Sequence, residues 1–201
     1  QRTGKGQVVD AAMVDGAASL LTVVHGLLGV GAWRDEPGVN LLDGGAPFYG
    51  VYPCADGRFV AVGALEPAFF AALLAGLGME HQGEQYDAST WPALRDALER
   101  TFLTRTRDEW AEHFEGTDAC VAPVLSLAEA PHHPHLVARG TFATVEGHPV
   151  PRSGPRLSAT PGRDPGPEPP VGADTVAYLA SHGFDQDEVA ALLASGAVVQ
   201  A

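Results

Sequence analysis

A chain of 201 residues, 45% of them apolar and 18% charged, is long enough to bury a real core and too apolar to stay disordered. Its formal charge of −13, with 12 Lys and Arg scattered along the sequence, argues against a surface that binds nucleic-acid phosphates. Cys54 and Cys120 lie far apart and make no CxxC pair, so neither a zinc site nor a disulfide framework is expected, and a reducing, cytoplasmic compartment fits best.

The chain begins without a Met, and Gln1 to Gln7 carries no signal-peptide pattern, so its start reads as the middle of something longer. From Ala11 to about Gly31 runs an apolar stretch interrupted by Asp15 and His25, too broken for a membrane span. It predicts one long helix whose residues, among them Leu20, Leu21, Val23, Val24, Leu27 and Leu28, need cover on most sides. Arg34 to Gly45 is turn-rich. Phe48 to Pro53 and Arg58 to Val62 then predict two strands joined around Asp56-Gly57, a strong hairpin signal.

Glu66-Pro67 opens the next helix, which carries Phe69, Phe70, Leu73, Leu74 and Leu77 and stops at Gly78. Helices are expected over Trp91 to Thr104 and Thr106 to Glu115, then a strand over Ala119 to Val124. A brief helix comes next, with Ser126 as its N-cap and Glu129 at the capping-box position. Pro131 to Pro170, dense in Pro and Gly, reads as an extended connector with an edge strand near Thr141 to Val145. Asp174 to Ser181 and Gln186 to Ser195 predict two terminal helices, the second capped by Asp185. The fold class is therefore α/β, with an α+β small domain of hairpin strands and flanking helices over 41–130. An apolar helical stretch and linker precede it over 1–40, and an extended segment with terminal helices follows it over 131–201.

Few residues offer chemistry. His132, His133 and His135 cluster, but their spacing fits neither an i, i+4 pair nor a zinc finger, and Pro134 breaks a helix there, so no metal site is expected. Ser19, Ser126 and Ser158 lack a GxSxG setting, and Cys120, in an apolar strand, reads as an inert core thiol. Glu66 stands apart. It sits where a strand hands over to a helix N-terminus, between Leu65 and Pro67, where negative charge is favoured and partial burial is expected. An ordinary helix-start acid would look the same. Phe48 and Tyr49 on the neighbouring strand are candidates for an apolar wall beside it, or for plain core aromatics.

The string Leu42-Asp43-Gly44-Gly45-Ala46-Pro47-Phe48-Tyr49, with Ala55-Asp56-Gly57 and Ala61-Val62-Gly63-Ala64-Leu65-Glu66-Pro67, resembles the α-methylacyl-CoA racemases of the family III CoA-transferase (CaiB-BaiF) group. Further blocks that resemble the family are Gly6-Gln7-Val8-Val9-Asp10, Gly116-Thr117-Asp118-Ala119-Cys120-Val121-Ala122-Pro123-Val124 and Arg139-Gly140, in order along the chain. The resemblance is to the family's carboxy-terminal portion, and implies that 1–40 is a connecting helix and linker from a Rossmann-like large domain and 131–201 a return segment that packs on it. It implies inversion of a 2-methylacyl-CoA through an enolate, with the CoA thioester as substrate and no separate cofactor.

In the family the proton-transfer His and Asp lie in a Rossmann-like amino-terminal domain, in Gly-His-Asp and Gly-Asp motifs that do not occur in this sequence. Glu66 matches the glutamate that orients the catalytic His, and Tyr49 and Leu65 match residues lining the acyl pocket. The resemblance also implies an interlocked homodimer, or a complementary amino-terminal domain, as the cover for the apolar helix. A family III CoA-transferase and a non-catalytic dimerisation fragment are the alternatives. The chain alone is expected to be inactive.

Overall fold

The computed structural model describes residues 4–80 and 83–201; Gln1 to Thr3, at the head of the expected linker, fall outside the described residues. The fold is mixed α/β, built from small antiparallel sheets and flanking helices. It divides into two compact units between Val124 and Leu125.

The apolar stretch at the start of the first unit forms two helices, α1 (Met13–Leu20) and α2 (Thr22–Gly29), rather than the single helix expected. The chain turns at Leu21, and the Thr22 hydroxyl donates to the Ser19 carbonyl at 2.6 Å, a local bond that competes with the helical ladder. Neither helix contains a buried residue, and Met13, Val14, Leu20 and Val23 are widely exposed. The sequence asks for cover; within this chain those side chains face solvent.

Downstream, Asn40 and Asp43 knot the loop that leads into the sheet. Asp43 accepts from the Asn40 backbone N–H and side-chain Nδ2, both at 2.7 Å, and from the Gly38 and Gly45 backbone. Strands β1 (Tyr49–Pro53) and β2 (Phe59–Gly63) pair antiparallel from Tyr49 opposite Gly63 to Pro53 opposite Phe59. A third strand, β3 (Val121–Pro123), pairs along the other side of β2. Alternation sends Tyr52, Val60 and Val62 into the core and leaves Val51 and Phe59 outside. The hairpin turn is locked by Asp56, which accepts from Arg58 N and, across the chain, from Arg107 N.

Three helices cover the inner face: α3 (Pro67–Leu77), α4 (Trp91–Phe102) and α5 (Arg107–His113). In α4, Leu94, Leu98 and Phe102 recur every fourth residue, so all three point into the core. Thr106 and Glu109 form a reciprocal capping box at the head of α5. Trp110 donates its indole N–H to the Phe102 carbonyl at 2.8 Å, and the two rings meet edge to face at 5.3 Å. Tyr52 stacks on Phe102 from the sheet side and donates its hydroxyl to the Pro47 carbonyl; burial pushes its phenol up to about 12. In α3, a β-carbon at Gly76 would stand 2.3 Å from the Phe114 ring, so glycine is what lets this helix approach Phe114.

The second unit holds more structure than a connector. Ser126 and Glu129 exchange the bonds of a capping box, but the turn beyond them is 3-10 rather than α, at Ala130–His132. Pro134, expected to break a helix, instead opens α6 (Pro134–Ala138), taking the first position where its missing N–H costs nothing. Next, β4 (Phe142–Val145) pairs with β5 (His148–Pro151) around Glu146 and Gly147, both at positive φ. After the Pro-rich stretch come α7 (Thr175–Ser181) and α8 (Gln186–Ala194), the latter with Asp185 and Glu188 in a capping box.

Four of the twelve basic residues gather here. Arg139, Arg152, Arg156 and Arg163 line a cleft of about 260 Å³ together with Asp164. Arg152 pairs with Asp164 at 2.7 Å and donates to the Gly140 and Phe142 carbonyls; Arg156 donates to the Arg139 and Gly140 carbonyls. The Arg152 and Arg156 guanidiniums thus fasten the Pro-rich segment to the end of α6.

Among the described residues, no helix is long and apolar enough to cross a membrane.

Candidate functional site

Glu66 lies where β2 gives way to α3. Its backbone is extended (φ −74°, ψ 145°), it holds the N-cap position, and Pro67 follows at the first helical position. Its carboxylate makes no cap hydrogen bond, and the residue is exposed rather than partly buried as expected. The reason is local. An N-cap residue projects from the helix end, and the extended ψ carries Glu66 off the core-facing row that Phe70 and Leu73 continue. A side chain that neither caps its helix nor sinks into the core keeps both oxygens available to an outside donor.

The other candidates sit beside it. Tyr49 pairs with Gly63 in the sheet register, and Ala64 N donates to the Phe48 carbonyl at 2.9 Å, which sets Phe48 and Tyr49 alongside the segment that delivers Leu65 and Glu66. Tyr49 is 37% exposed and Leu65 is half-buried against the core. Phe48 differs: it has no accessible surface and packs edge to face against Phe70, Tyr86 and Trp91. Its place is behind the surface, as a core aromatic that fixes Tyr49 and Ala64 from below.

Cys120 is the main correction. It lies outside the core, exposed, just before β3, with a positive φ of 52° unusual for a residue with a β-carbon. Its carbonyl accepts from Gly63 N at 2.9 Å, which brings it to the same end of the sheet as Glu66. Partial burial pushes its thiol up, and the neighbouring Glu66 and Asp118 carboxylates push it further. The buried thiol of the chain is Cys54, at the β1–β2 turn.

Two residues that patterning did not single out complete the surroundings. Gln85 donates its Nε2 to the Ala64 and Leu65 carbonyls at 3.1 and 2.8 Å, and Tyr86 donates its hydroxyl to Leu65 O at 2.6 Å. They lie in a polar stretch between α3 and α4 with no periodicity to mark them; the only sequence cue is an amide and a phenol within an otherwise loop-like run.

Among the described residues, no group of three or more His, Cys, Asp or Glu side chains could hold a metal ion. A cleft of about 530 Å³ is lined wholly by second-unit residues such as Val171, Tyr178, Leu179 and Val198, without a titratable group beyond Asp174 and Tyr178 to do chemistry.

The family described as CoA-transferase family III matches residues 1–175. Alpha-methylacyl-CoA racemase from Mus musculus is 45% identical over 196 residues, covering 94% of this chain and 50% of the relative, and the Homo sapiens protein of that name is 42% identical over the same shares. A solved CAIB/BAIF family protein from Brucella suis superposes with a TM-score of 0.65 at 22% identity, over 90% of this chain and 49% of that one. The chain thus spans about half the length of the proteins it matches. A match along residues 1–175, with the same α/β architecture in a solved relative, makes this chain a member of the family III CoA-transferases.

Proposed function

We propose that this chain is the carboxy-terminal part of a 2-methylacyl-CoA racemase, with Glu66 orienting a catalytic histidine that lies outside these 201 residues. One observation carries the reading. In a chain 45% identical to a mouse racemase, Glu66 stands exposed and without a cap bond, directly after Leu65 and three residues beyond the Gly63 that pairs with Tyr49.

Racemization at an α-carbon needs one group to take the proton and another to return one on the opposite face, with the enolate between them. A carboxylate that accepts from one imidazole nitrogen fixes the tautomer and raises the basicity of the other. Glu66 suits that role as a positioning residue. Tyr49 and Leu65 line the acyl pocket, and Phe48 supports them from behind. The CoA thioester is the substrate, and no resident cofactor is needed.

The partner is a second copy in an interlocked homodimer, or a complementary amino-terminal domain, seated on α1 and α2. Residues 1–40 then act as connection, 41–130 as the small domain and 131–201 as the return segment. The setting is the cytoplasm.

A family III CoA-transferase is the second reading, favoured by the family description itself. The Gly63-Ala64-Leu65-Glu66-Pro67 block weighs toward the racemase, because a glutamate there suits support of proton transfer. A purely structural dimerisation fragment is the third.

Exchange of the α-proton of a 2-methylacyl-CoA in deuterated water tests the reading. The chain alone should give none; the chain supplemented with the amino-terminal half of the mouse relative should give exchange that Glu66→Gln slows. Turnover by the chain alone overturns the inactivity of these residues, and CoA transfer to an added carboxylic acid selects the second reading.

A further inference from the structure

We infer that Gln85 and Tyr86 form a clamp that positions Glu66 by holding the two peptide groups before it. The inference rests on the role proposed above for Glu66, and deepens it.

Glu66 has no side-chain bond to its own helix, so the place from which its side chain starts is set by its backbone. That backbone is a short link of Gly63, Ala64 and Leu65 between the last pair of β2 and the first turn of α3. On one side Ala64 N donates to Phe48 O and Leu65 N to Gly63 O. The carbonyls on the other side would have no partner in sheet or helix. Gln85 and Tyr86, some twenty residues downstream, supply all three donors: two from the carboxamide and one from the phenol.

The clamp is itself fixed. Gln85 is 8% exposed, its carbonyl accepts from Trp91 Nε1 at 2.9 Å, and Trp91 and Tyr86 both pack edge to face on Phe48. With Nε2 committed to two carbonyls, the amide cannot turn over without setting its oxygen against them. Its Oε1 is consequently left buried with no partner among the described residues. A buried acceptor left unsatisfied is costly, and here the arrangement that strands it is the one that holds the Leu65–Glu66 link. The anchoring aromatic, Phe48, also backs Tyr49, so one cluster holds both the acid and the strand that carries the apolar wall.

Amide hydrogen exchange on the chain tests this directly. Gln85→Met keeps the length and removes both donors, and Tyr86→Phe removes one donor from a residue exposed enough to tolerate it. Each should speed exchange at Leu65 and Phe70, up to about tenfold for Gln85→Met, while Leu98 and Phe102 keep their wild-type rates. Gln85→Glu adds a signature that packing alone would not produce. A protonated carboxyl can still donate to one carbonyl, so protection should persist at low pH and vanish as pH rises through that carboxyl's titration.

Unchanged exchange at Leu65 and Phe70 in both Gln85→Met and Tyr86→Phe overturns the clamp; uniform acceleration across the core does so too. If Gln85→Met does not fold, Tyr86→Phe decides alone. In the supplemented enzyme, Gln85→Met should lower kcat with KM little altered. Glu66→Gln in the same assay separates the two ideas: normal turnover there removes the role of Glu66 and leaves the clamp standing, whereas slowed turnover without any effect of the clamp variants removes only the clamp.

Discussion

Gly45 is pressed against Asn40 so closely that a β-carbon on it would stand 2.5 Å from the Asn40 backbone nitrogen and oxygen. The neighbouring atoms are backbone, with no flexible tip to swing aside. This contact holds the Asp43-Gly44-Gly45 loop against the entry to β1, and Arg95 on α4 reinforces it by donating to the Gly44 and Gly45 carbonyls. Gly45→Ala should therefore cost roughly 2–4 kcal/mol of unfolding free energy. Urea denaturation of the variant checks it; a midpoint equal to wild type would mean the loop is free to yield.

The same loop makes stability fall in acid. Burial pushes the Asp43 carboxyl up, but the Asn40 side chain and the Asn40, Gly45 and Gly38 backbone donors outweigh it and hold the group below its ordinary value. A carboxyl lowered on folding contributes stability that is full above the unfolded pKa of about 4 and is lost as pH falls through the lower folded value. Wild type should exceed Asp43→Asn by about 1 kcal/mol at pH 6, with the gap closing below pH 4. A gap that widened on acidification would contradict the sign.

Thiol chemistry should separate the two cysteines. Cys120 is exposed yet slow, since its raised pKa leaves little thiolate near neutral pH, and Cys54 is shielded until the chain unfolds. A disulfide reagent should modify one thiol more slowly than free cysteine, and Glu66→Gln should speed that step roughly twofold by removing a nearby charge. An unaltered rate would separate Glu66 from Cys120.

In the second unit, Arg152→Ala removes the Asp164 ion pair and two carbonyl bonds at once. Limited proteolysis should then cut the Pro-rich segment after β5 at least several-fold faster, while the tryptophan fluorescence, which comes from Trp33, Trp91 and Trp110 in the first unit, stays native. Equal cutting rates would show the arginines to be bystanders.

Much of the first unit was legible because its signals are local. Asp56-Gly57 and the helix stop at Gly78 stand where patterning put them, as does the Ser126–Glu129 capping box just beyond that unit. The β4–β5 hairpin was half missed: its two-residue turn is Glu146-Gly147, and Glu is a poor advertisement for a positive φ that Asn or Asp would have signalled. Cys120 misled because an apolar neighbourhood in sequence says nothing of a strand's exposed approach. Phe48 and Tyr49, adjacent in sequence, part company because alternate residues at a strand face opposite sides. Gln85 was invisible because its partners lie some twenty residues away.

The uncovered side chains of α1 and α2 also bear on thermodynamics. Any surface that seats on Met13, Val14, Leu20 and Val23 binds the folded chain and not the unfolded one, so its occupancy adds directly to the free energy of unfolding. For a chain whose cover is a second copy, the melting temperature becomes a function of protein concentration. Dilution should then act as a denaturant.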